Sequence, residues 1–431
     1  MHIHLVGIAG SMTAPLAIAL KKQGHFITGS DQEKIYPPFS HQLKKYQIPT
    51  NKTVISKKID LAIIGSSYLS FSNTKSEFEQ IKNLQIPYIS ATKYVSKYLL
   101  KKNSILVAGS YGKTTISAAL VYLLKKASFD PSYMIGGQAK NLTESLHFSD
   151  TDWSVCEADE SINGLDTKAK FLYYPVKYLI LTSANWEHCE SYKTEESNRL
   201  AFRELIERIP NNGVLVYNPH DKTVNSLLPY AKCKKISYHP TPKNNSLIGK
   251  YNQENLGAVE ALANELQISS SILNKSFQNF KGVKRRMEIL SQKNEIIFID
   301  DFAQSANRIE AALKSIKESY PKSKIKVFYE NHASFMQYRS HLEKLSSVLK
   351  EANEVVIYQL KFNKNIPSQD RLTAKDYLNN IPKSIYLPLG QDIVKHYQDT
   401  LKSGDTLIRF SSGGDQGLKI FKKIISLKNR I

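Results

Sequence analysis

Ile105-Leu-Val-Ala-Gly-Ser-Tyr-Gly-Lys-Thr-Thr115 is the stretch around which this chain is organised. An apolar run ends at Gly109, a turn follows, and Lys113, Thr114 and Thr115 lead into a helix-favouring segment over residues 116–125. Strand, glycine loop and helix in that order aim backbone N–H groups and a helix N-terminus at a phosphate. The longer phosphate-loop pattern places a glycine five residues before Gly112, where this chain has Val107. The loop is therefore the short form, G-x-x-G-K-T-T. A loop this short can be a chance turn. Lys-Thr behind a glycine at the mouth of a helix favours a nucleotide loop instead, and ATP is the expected occupant.

Composition sets the bounds. At 431 residues the chain exceeds one ordinary core, so two or three domains are expected. Apolar (41%) and charged (23%) contents are those of a soluble globular protein. No run approaches the roughly 18 apolar residues that span a bilayer. The N-terminus, Met1-His-Ile-His-Leu-Val6, lacks the basic and apolar regions of a secretory leader. Cys156, Cys189 and Cys233 are far apart and odd in number, which fits reduced thiols in a cytoplasm and no zinc site. The net charge of +20 comes from ten arginines and 49 lysines spread along the whole chain. Nucleic-acid binders concentrate their charge and interleave arginines or aromatics, so a solvated lysine surface is the better reading. A positive field also suits a polyanionic small substrate.

Strand and helix signals alternate three times. Residues 2–6 read as a buried strand, Gly7-Ile-Ala-Gly10 as a turn, 11–22 as a helix and 25–28 as a second strand closed by Gly29-Ser-Asp31. That approximates a dinucleotide fingerprint with its acidic residue about 20 positions on, but the third glycine is missing and the case for NAD is weak. Further strands are expected at 59–65 and 87–90, with a hinge at 98–102. The second alternation has strands at 153–158, 177–183 and 213–217, a helix at 195–208, irregular or edge structure at 230–250, and a helix opening at Tyr251. The third has strands at 295–300, 324–329, 354–360, 384–387 and 406–410, with helices at 307–319, 338–352 and 392–402. Such alternation predicts an α/β fold of parallel sheets covered by helices. Three domains are expected: a Rossmann-like N-terminal domain (1–100), a central P-loop ATPase domain (101–290) and a Rossmann-like C-terminal domain (291–431).

Behind a phosphate loop, a nucleotide-cleaving enzyme needs Mg2+ on hard oxygen ligands at strand ends. Cys156-Glu-Ala-Asp-Glu160 ends one apolar strand, and Trp186-Glu-His-Cys-Glu190 follows the next. In a parallel sheet the C-terminal strand ends share one edge with the loop. Glu157, Asp159, Glu160 and His188 can therefore meet around metal and phosphate. An isolated Glu-Ala-Asp-Glu would be read as a solvated loop; three converging strand ends favour function. Asn252 and Asn255 lie a helical turn apart, and spacing alone favours a cap for Asn252 over base recognition. Lys284, Arg285 and Arg286 read as an exposed basic turn. Asp300-Asp301 and His332 lie at strand ends, where open-sheet sites form.

The order of motifs says more than any one of them. G-x-x-G, GSYGKTT, CEADE, a strand followed by Trp-acid-His, YNQEN, GVKRR and DDFA resemble, end to end, the Mur ligases, ATP-dependent amide-forming enzymes of bacterial cell-wall assembly. The first glycine turn with Gly29-Ser-Asp31 resembles the branch that adds to UDP-N-acetylmuramate. Asp166-Thr-Lys-Ala-Lys-Phe-Leu-Tyr-Tyr-Pro175 and Tyr36-Pro-Pro-Phe-Ser40 are similar to its recycling members, which join L-Ala-γ-D-Glu-meso-diaminopimelate to that sugar in peptidoglycan recycling. The alternatives are members that add L-alanine, and a nucleotide-binding homologue that has lost the acceptor site.

The resemblance implies roles. Gly7, Gly10, Ser30 and Asp31 would face the UDP-sugar; Gly109, Ser110, Tyr111, Gly112, Lys113, Thr114 and Thr115 the ATP phosphates. Thr114, Glu157 and His188 would hold Mg2+, with Lys113, Glu157 and His188 carrying catalysis. Asn252 and Asn255 would contact adenine, reversing the cap preference for at least one of them, and Arg286 and Asp301 would line the nucleotide. Gln304 stands where the branch has a histidine, His332 lies near the place of its usual arginine, and Thr182-Ser-Ala-Asn185 replaces T-N-I-E. These departures mostly concern the acceptor side. The implied reaction forms an acyl phosphate that an amine then attacks.

Overall fold

A computed structural model of the chain describes all residues except 33–34, 36–37, 51–53, 187–190, 244–246, 332–333, 361–365, 414 and 429–431. The described residues form two compact units, one of residues 1–246 and 252–282, the other of 247–251 and 283–431. The architecture is α/β, with three sheets that are parallel apart from two edge strands. No helix among the described residues is long and apolar enough to cross a membrane.

The first unit holds two sheets. Strands β1 (His2–Val6), β2 (Phe26–Ser30), β3 (Leu61–Ile64) and β4 (Tyr88–Ser90) run in the order β2-β1-β3-β4. The larger sheet contains β5 (Asn103–Ala108), β6 (Ser132–Met134), β7 (Leu146–His147), β8 (Trp153–Glu157), β9 (Tyr178–Leu181), β10 (Val214–Tyr217) and β11 (Lys234–Ser237), ordered β11-β10-β9-β5-β8-β6-β7. The phosphate-loop strand β5 lies in the middle, and its apolar run is buried on both faces, as a covered parallel strand requires. Its neighbours are β8 and β9, with Val107 opposite both Glu157 and Ile180. That pairing brings the ends of the three motif-bearing strands together. The stretch at 230–250 includes β11, a true edge strand whose lysines face solvent.

The helices stop where local chemistry stops them. Helix Lys113–Lys126 starts after Gly112, held in the left-handed region at φ 82°, and carries Lys125 and Lys126 in its last turn, where cations suit the helix dipole. Helix Glu195–Glu207 opens with a capping box in which the Thr194 hydroxyl accepts from Ser197 N.

The second unit has one sheet, built from β12 (Glu288–Lys293), β13 (Ile296–Asp301), β14 (Lys324–Glu330), β15 (Glu354–Tyr358), β16 (Ser384–Leu387) and β17 (Asp405–Ser411), in the order β12-β13-β17-β14-β15-β16. Polar, half-exposed β12 pairs antiparallel with β13 and carries no apolar run that would have announced it. The helix expected at 338–352 is shorter, Leu342–Leu349. Tyr338 instead bridges to Arg371, and Gln337 O accepts from Leu372 N, so backbone pairing with a distant segment outbids the local helix.

Arg409 on β17 is wholly buried between the two flanking strands. Its Nε donates to Asp300 Oδ1 at 2.9 Å and its Nη1 to Glu330 Oε2 at 2.6 Å. Burial pushes the Asp300 carboxyl up, opposed by the Arg409 and Arg285 guanidiniums. Helix Asp415–Lys428 starts nearby, and a methyl at Gly417 would strike the Glu330 carboxylate, which brings that negative charge to the positive end of a helix. Removing one partner of a buried ion pair leaves uncompensated charge and costs about 3–5 kcal/mol. Arg409→Met should therefore lower the urea midpoint of the second unit's unfolding by that equivalent; a loss below about 1 kcal/mol would contradict the assigned role.

Candidate active site

Two glycines shape the phosphate loop. Gly109 sits at φ 123°, where only glycine is at ease, and a side chain there would strike the Thr182 hydroxyl. Gly112 at φ 82° lies directly against Asn255 Oδ1 and releases the chain into the helix. The loop is pinned from the segment that follows β9. Ser110 N donates to Ser183 Oγ at 2.9 Å, Ser110 Oγ to Asn185 O at 3.0 Å, and Thr182 Oγ1 to Tyr111 O at 2.6 Å. Tyr111 nevertheless presents its side chain to solvent. Thr182, Ser183 and Asn185 stood out in the sequence only as departures from a family pattern; here they fix the loop.

Lys113 points at acid. Its Nζ donates to Gly109 O at 2.5 Å and lies 2.9 and 3.2 Å from the two carboxylate oxygens of Glu160, which is 1% exposed. Thr114 Oγ1 donates to Glu157 Oε1 at 3.0 Å, and Gly136 N to Glu157 Oε2 at 2.7 Å. Asp159 turns the other way, to Lys170 Nζ and Ser161 Oγ, each at 2.7 Å. Desolvation pushes the Asp159 carboxyl up, but Lys170 and Lys113 more than offset it and hold it well below the usual carboxylate range. Glu157, Asp159 and Glu160 thus share one edge and divide between three different partners.

The hydroxyl of Thr114 and the carboxylate of Glu157 offer adjacent hard oxygens of the kind Mg2+ takes. Among the described residues no cluster of three His, Cys, Asp or Glu side chains can hold a metal alone. Mg2+ is usually held by one or two carboxylates with phosphate oxygens and water. His188, Glu187 and Cys189 lie outside the described residues, as do His332, Tyr36 and Pro37.

Asn252 and Asn255 are 4% and 7% exposed, inside helix Lys250–Glu265, with Asn255 Nδ2 donating to Asn252 Oδ1 at 3.3 Å. The cap reading of Asn252 is corrected: the helix starts two residues earlier. Asn255 instead packs on the phosphate loop.

At the N-terminal sheet, Gly7 N and Ile8 N donate to Ser30 O at 2.8 and 2.9 Å, and Ala9 N donates to Asp31 Oδ2 at 2.8 Å. Gly10 N donates to Thr13 Oγ1 at 3.0 Å, and Thr13 Oγ1 to Gly7 O at 2.7 Å. The glycine turn and the end of β2 are one hydrogen-bonded piece. Ser30 Oγ donates to Glu77, whose other oxygen meets the buried His4 ring at 3.1 Å, a link between elements 47 and 73 residues apart in sequence that no local pattern announces.

The remaining candidates belong to the second unit. Asp301 accepts from Met287 N at 2.6 Å and Ala303 N at 2.7 Å; burial pushes its carboxyl up, opposed by Arg286 and these two N–H groups. Arg286 lies over the Phe302 ring at 5.0 Å. Gln304 is buried and its Nε2 donates to Ala303 O at 3.0 Å. Arg285 is no simple exposed basic residue: it adopts φ 60° and places Nε 3.5 Å from Asp300 Oδ2.

Comparison with known proteins matches three family models along the chain. They are the Mur ligase family catalytic domain at residues 2–102, the Mur ligase middle domain at 107–278, and the Mur ligase glutamate ligase domain at 285–413. The UDP-N-acetylmuramate–L-alanine ligase of Desulfitobacterium hafniense is 23% identical over 96% of this chain and 97% of its own. The UDP-N-acetylmuramate–L-alanyl-γ-D-glutamyl-meso-2,6-diaminoheptandioate ligase of Escherichia coli is 25% identical over 97% and 96%. In fold, the chain is similar to a murein peptide ligase from Psychrobacter arcticus, with a TM-score of 0.70 at 23% identity over 100% of this chain and 99% of that one. It is similar also to the UDP-N-acetylmuramate-alanine ligase of Thermotoga maritima, with a TM-score of 0.77 at 18% identity over the same shares.

The buried Lys113–Glu160 pair makes Lys113 a stabilising residue. Lys113→Ala strips the cation from a buried carboxylate and should destabilise the first unit by roughly 1–3 kcal/mol. Adding Glu160→Gln removes the stranded charge and should recover most of that loss. Thermal unfolding of both variants checks this, and a double variant no more stable than Lys113→Ala would contradict the pairing.

Proposed function

Because the chain belongs to the Mur ligase family, whose members are ATP-dependent ligases of peptidoglycan synthesis that release ADP and phosphate, we propose that it joins L-Ala-γ-D-Glu-meso-diaminopimelate to the carboxylate of UDP-N-acetylmuramate. The observation that carries this reading is the loop after Glu160, whose D-x-x-x-K-F-x-x-Y stretch resembles that of the recycling ligases. Its residues act on one another. Asp166 accepts from Asn163 Nδ2 at 3.2 Å, from Lys168 N at 3.1 Å and from the Tyr173 hydroxyl, while Lys170 reaches back to Asp159. Desolvation and the Asp166 carboxylate push the Tyr173 phenol up to about 12. The loop also touches the N-terminal sheet's side of the same unit: Gly164 packs on the Ser66 backbone, and Ser96 Oγ donates to Tyr173 O at 2.5 Å. A stretch with its own hydrogen bonds, tied to Asp159 on one side and to Ser66 and Ser96 on the other, is placed to shape a substrate.

In this reading Gly7, Gly10, Ser30 and Asp31 face the UDP-sugar, and residues 109–115 take the ATP phosphates. Asn252 and Asn255 read the adenine, and Arg286 and Asp301 line the nucleotide. Thr114, Glu157 and His188 would hold Mg2+, which supplies positive charge to the phosphates when bound. Gln304 and His332 belong to the acceptor side. The division into parts at 1–100, 101–290 and 291–431 follows the motifs, and free Cys156 and Cys233 suit a cytoplasmic setting.

The chemistry follows from what a carboxylate lacks. An amine cannot displace oxide, so the γ-phosphoryl group is first transferred to the sugar carboxylate, giving an acyl phosphate. Positioning and cations spread over the phosphoryl oxygens carry that step, and Lys113 supplies one such charge. The amine then attacks and phosphate leaves. This second step needs an uncharged amine and little water.

A second reading, L-alanine addition, is favoured by the name of the Desulfitobacterium hafniense relative and of most others like it. One amine panel separates the two. With ATP, Mg2+ and UDP-N-acetylmuramate, ADP release and product should depend on the tripeptide and be absent with L-alanine. The reverse pattern would assign the chain to L-alanine addition. ADP release with no amide for any amine would remove the ligase reading.

A further inference from the structure

Helix Ser72–Asn83 packs on one face of the N-terminal sheet, where Phe78 and Ile81 join Val6, Ala62 and Ile64 in an apolar cluster. A line of polar side chains runs beside that cluster. His2 Nε2 lies 2.9 Å from Thr28 Oγ1, which lies 2.8 Å from Nδ1 of the wholly buried His4. His4 Nε2 meets Glu77 Oε1 at 3.1 Å, and the other oxygen of Glu77 accepts from the Ser30 hydroxyl. Four residues before Glu77, one turn back along the helix, Asn73 Nδ2 donates to Asp31 O at 2.5 Å. One helix thus grips two consecutive residues at the end of β2.

Hydrogen-bond polarity places the protons of this chain. A carboxylate only accepts, so His4 Nε2 and Ser30 Oγ each direct a proton at Glu77. Nδ1 of a neutral His4 ring then accepts, the Thr28 hydroxyl donates to it, and Thr28 Oγ1 accepts from His2 Nε2–H. The Ser30 hydroxyl is therefore held in one orientation, and its oxygen has only lone pairs left to offer. Ser30 also clamps the glycine turn, since its main-chain oxygen accepts from Gly7 N and Ile8 N, and next to it Asp31 Oδ2 accepts from Ala9 N. A buried histidine–carboxylate pair is weak evidence for stability, because apolar residues of similar volume often serve as well. What these side chains supply is a fixed position.

We propose that Glu77, oriented by His4 and assisted by Asn73, is a positioning residue of the sugar-nucleotide site: it sets the Ser30 hydroxyl and the glycine turn in the geometry that UDP-N-acetylmuramate meets. This rests on the reading in which Gly7, Gly10, Ser30 and Asp31 face the UDP-sugar. Glu77 acts through Ser30 and does not itself touch the ligand. With its proton on Glu77, Ser30 can accept from an N–H or O–H of the nucleotide or sugar, but has nothing to give a phosphate oxygen. Truncating Glu77 lets the Ser30 hydroxyl rotate and leaves the buried His4 Nε2–H without an acceptor, so the end of β2 loosens. The phosphate loop keeps its own bonds to Thr182 and Ser183. The defect should therefore fall on one of the two nucleotide ligands and spare the other.

Calorimetric titration of the full-length chain tests this with two probes, UDP-N-acetylmuramate and a non-hydrolysable ATP analogue with Mg2+. Glu77→Ala should weaken the sugar nucleotide by about tenfold or more and change the ATP analogue by less than about twofold. Glu77→Gln, which keeps the side-chain length and one acceptor oxygen, should recover part of the loss. Nitrogen-15 NMR of the histidine rings gives a readout that needs no ligand: the His4 proton should sit on Nε2 in the unaltered chain, and a proton on Nδ1 alone would overturn the arrangement. Equal loss of both probes, in step with a lower melting temperature, would overturn the proposal and make Glu77 a merely structural residue. Sugar binding weakened by Ser30→Ala and Asp31→Asn but untouched by Glu77→Ala would also overturn it, with the sugar-site reading left standing. Sugar binding untouched by all three variants, or absent from the unaltered chain, would overturn the sugar-site reading itself, and this proposal with it.

Discussion

Lys113 and Glu160 meet 2.9 Å apart, almost wholly withdrawn from water, where the ends of β5 and β8 lie side by side. Neither charge is tolerable there alone. The pair exists because β5 occupies the middle of its sheet, so that a glycine loop and an acidic strand end open on the same edge. Everything near it is arranged around that fact. The segment after β9 pins the loop through Thr182 and Ser183, Asn255 closes against Gly112, and Lys170 pairs with Asp159. Lys113 is thus largely desolvated and engaged with Glu160 and Gly109 O.

The phosphate loop, its strand and its helix were legible in sequence because their signals are local: an apolar run, two glycines, and a helix with lysines in its last turn. The convergence of the Glu157 segment with the loop was legible too, since parallel strand ends share an edge by topology. The division of labour among Glu157, Asp159 and Glu160 was not. It depends on Lys113 and Lys170 reaching across 47 and 11 residues of sequence, and on burial that no spacing reveals. Asn252 misled for the opposite reason: a residue that favours caps sits buried inside a helix, its Oδ1 accepting from Asn255 Nδ2, so burial overrides its local preference.

The second unit repeats the lesson with a different outcome. Its strands were visible as apolar runs, yet the feature that holds three of them at their C-terminal ends is a buried arginine in the middle of one such run. Arg409 joins Asp300, which read in sequence as a strand-end acid where a site could form, to Glu330, which drew no reading of its own. Asp301 also spends both carboxylate oxygens on backbone N–H groups, which makes it a fixed part of the strand end. Acidic residues at an open-sheet edge are thus of two kinds, those that stabilise the edge and those that work on a ligand. Only partners tell them apart.

The central claim is that ATP activates a carboxylate by forming an acyl phosphate, and the fate of one oxygen atom tests it most directly. UDP-N-acetylmuramate labelled with heavy oxygen in its carboxylate is turned over with ATP and the productive amine, and the released phosphate is analysed by mass. Transfer through an acyl phosphate predicts one labelled oxygen in each phosphate. Phosphate carrying no label would contradict the account.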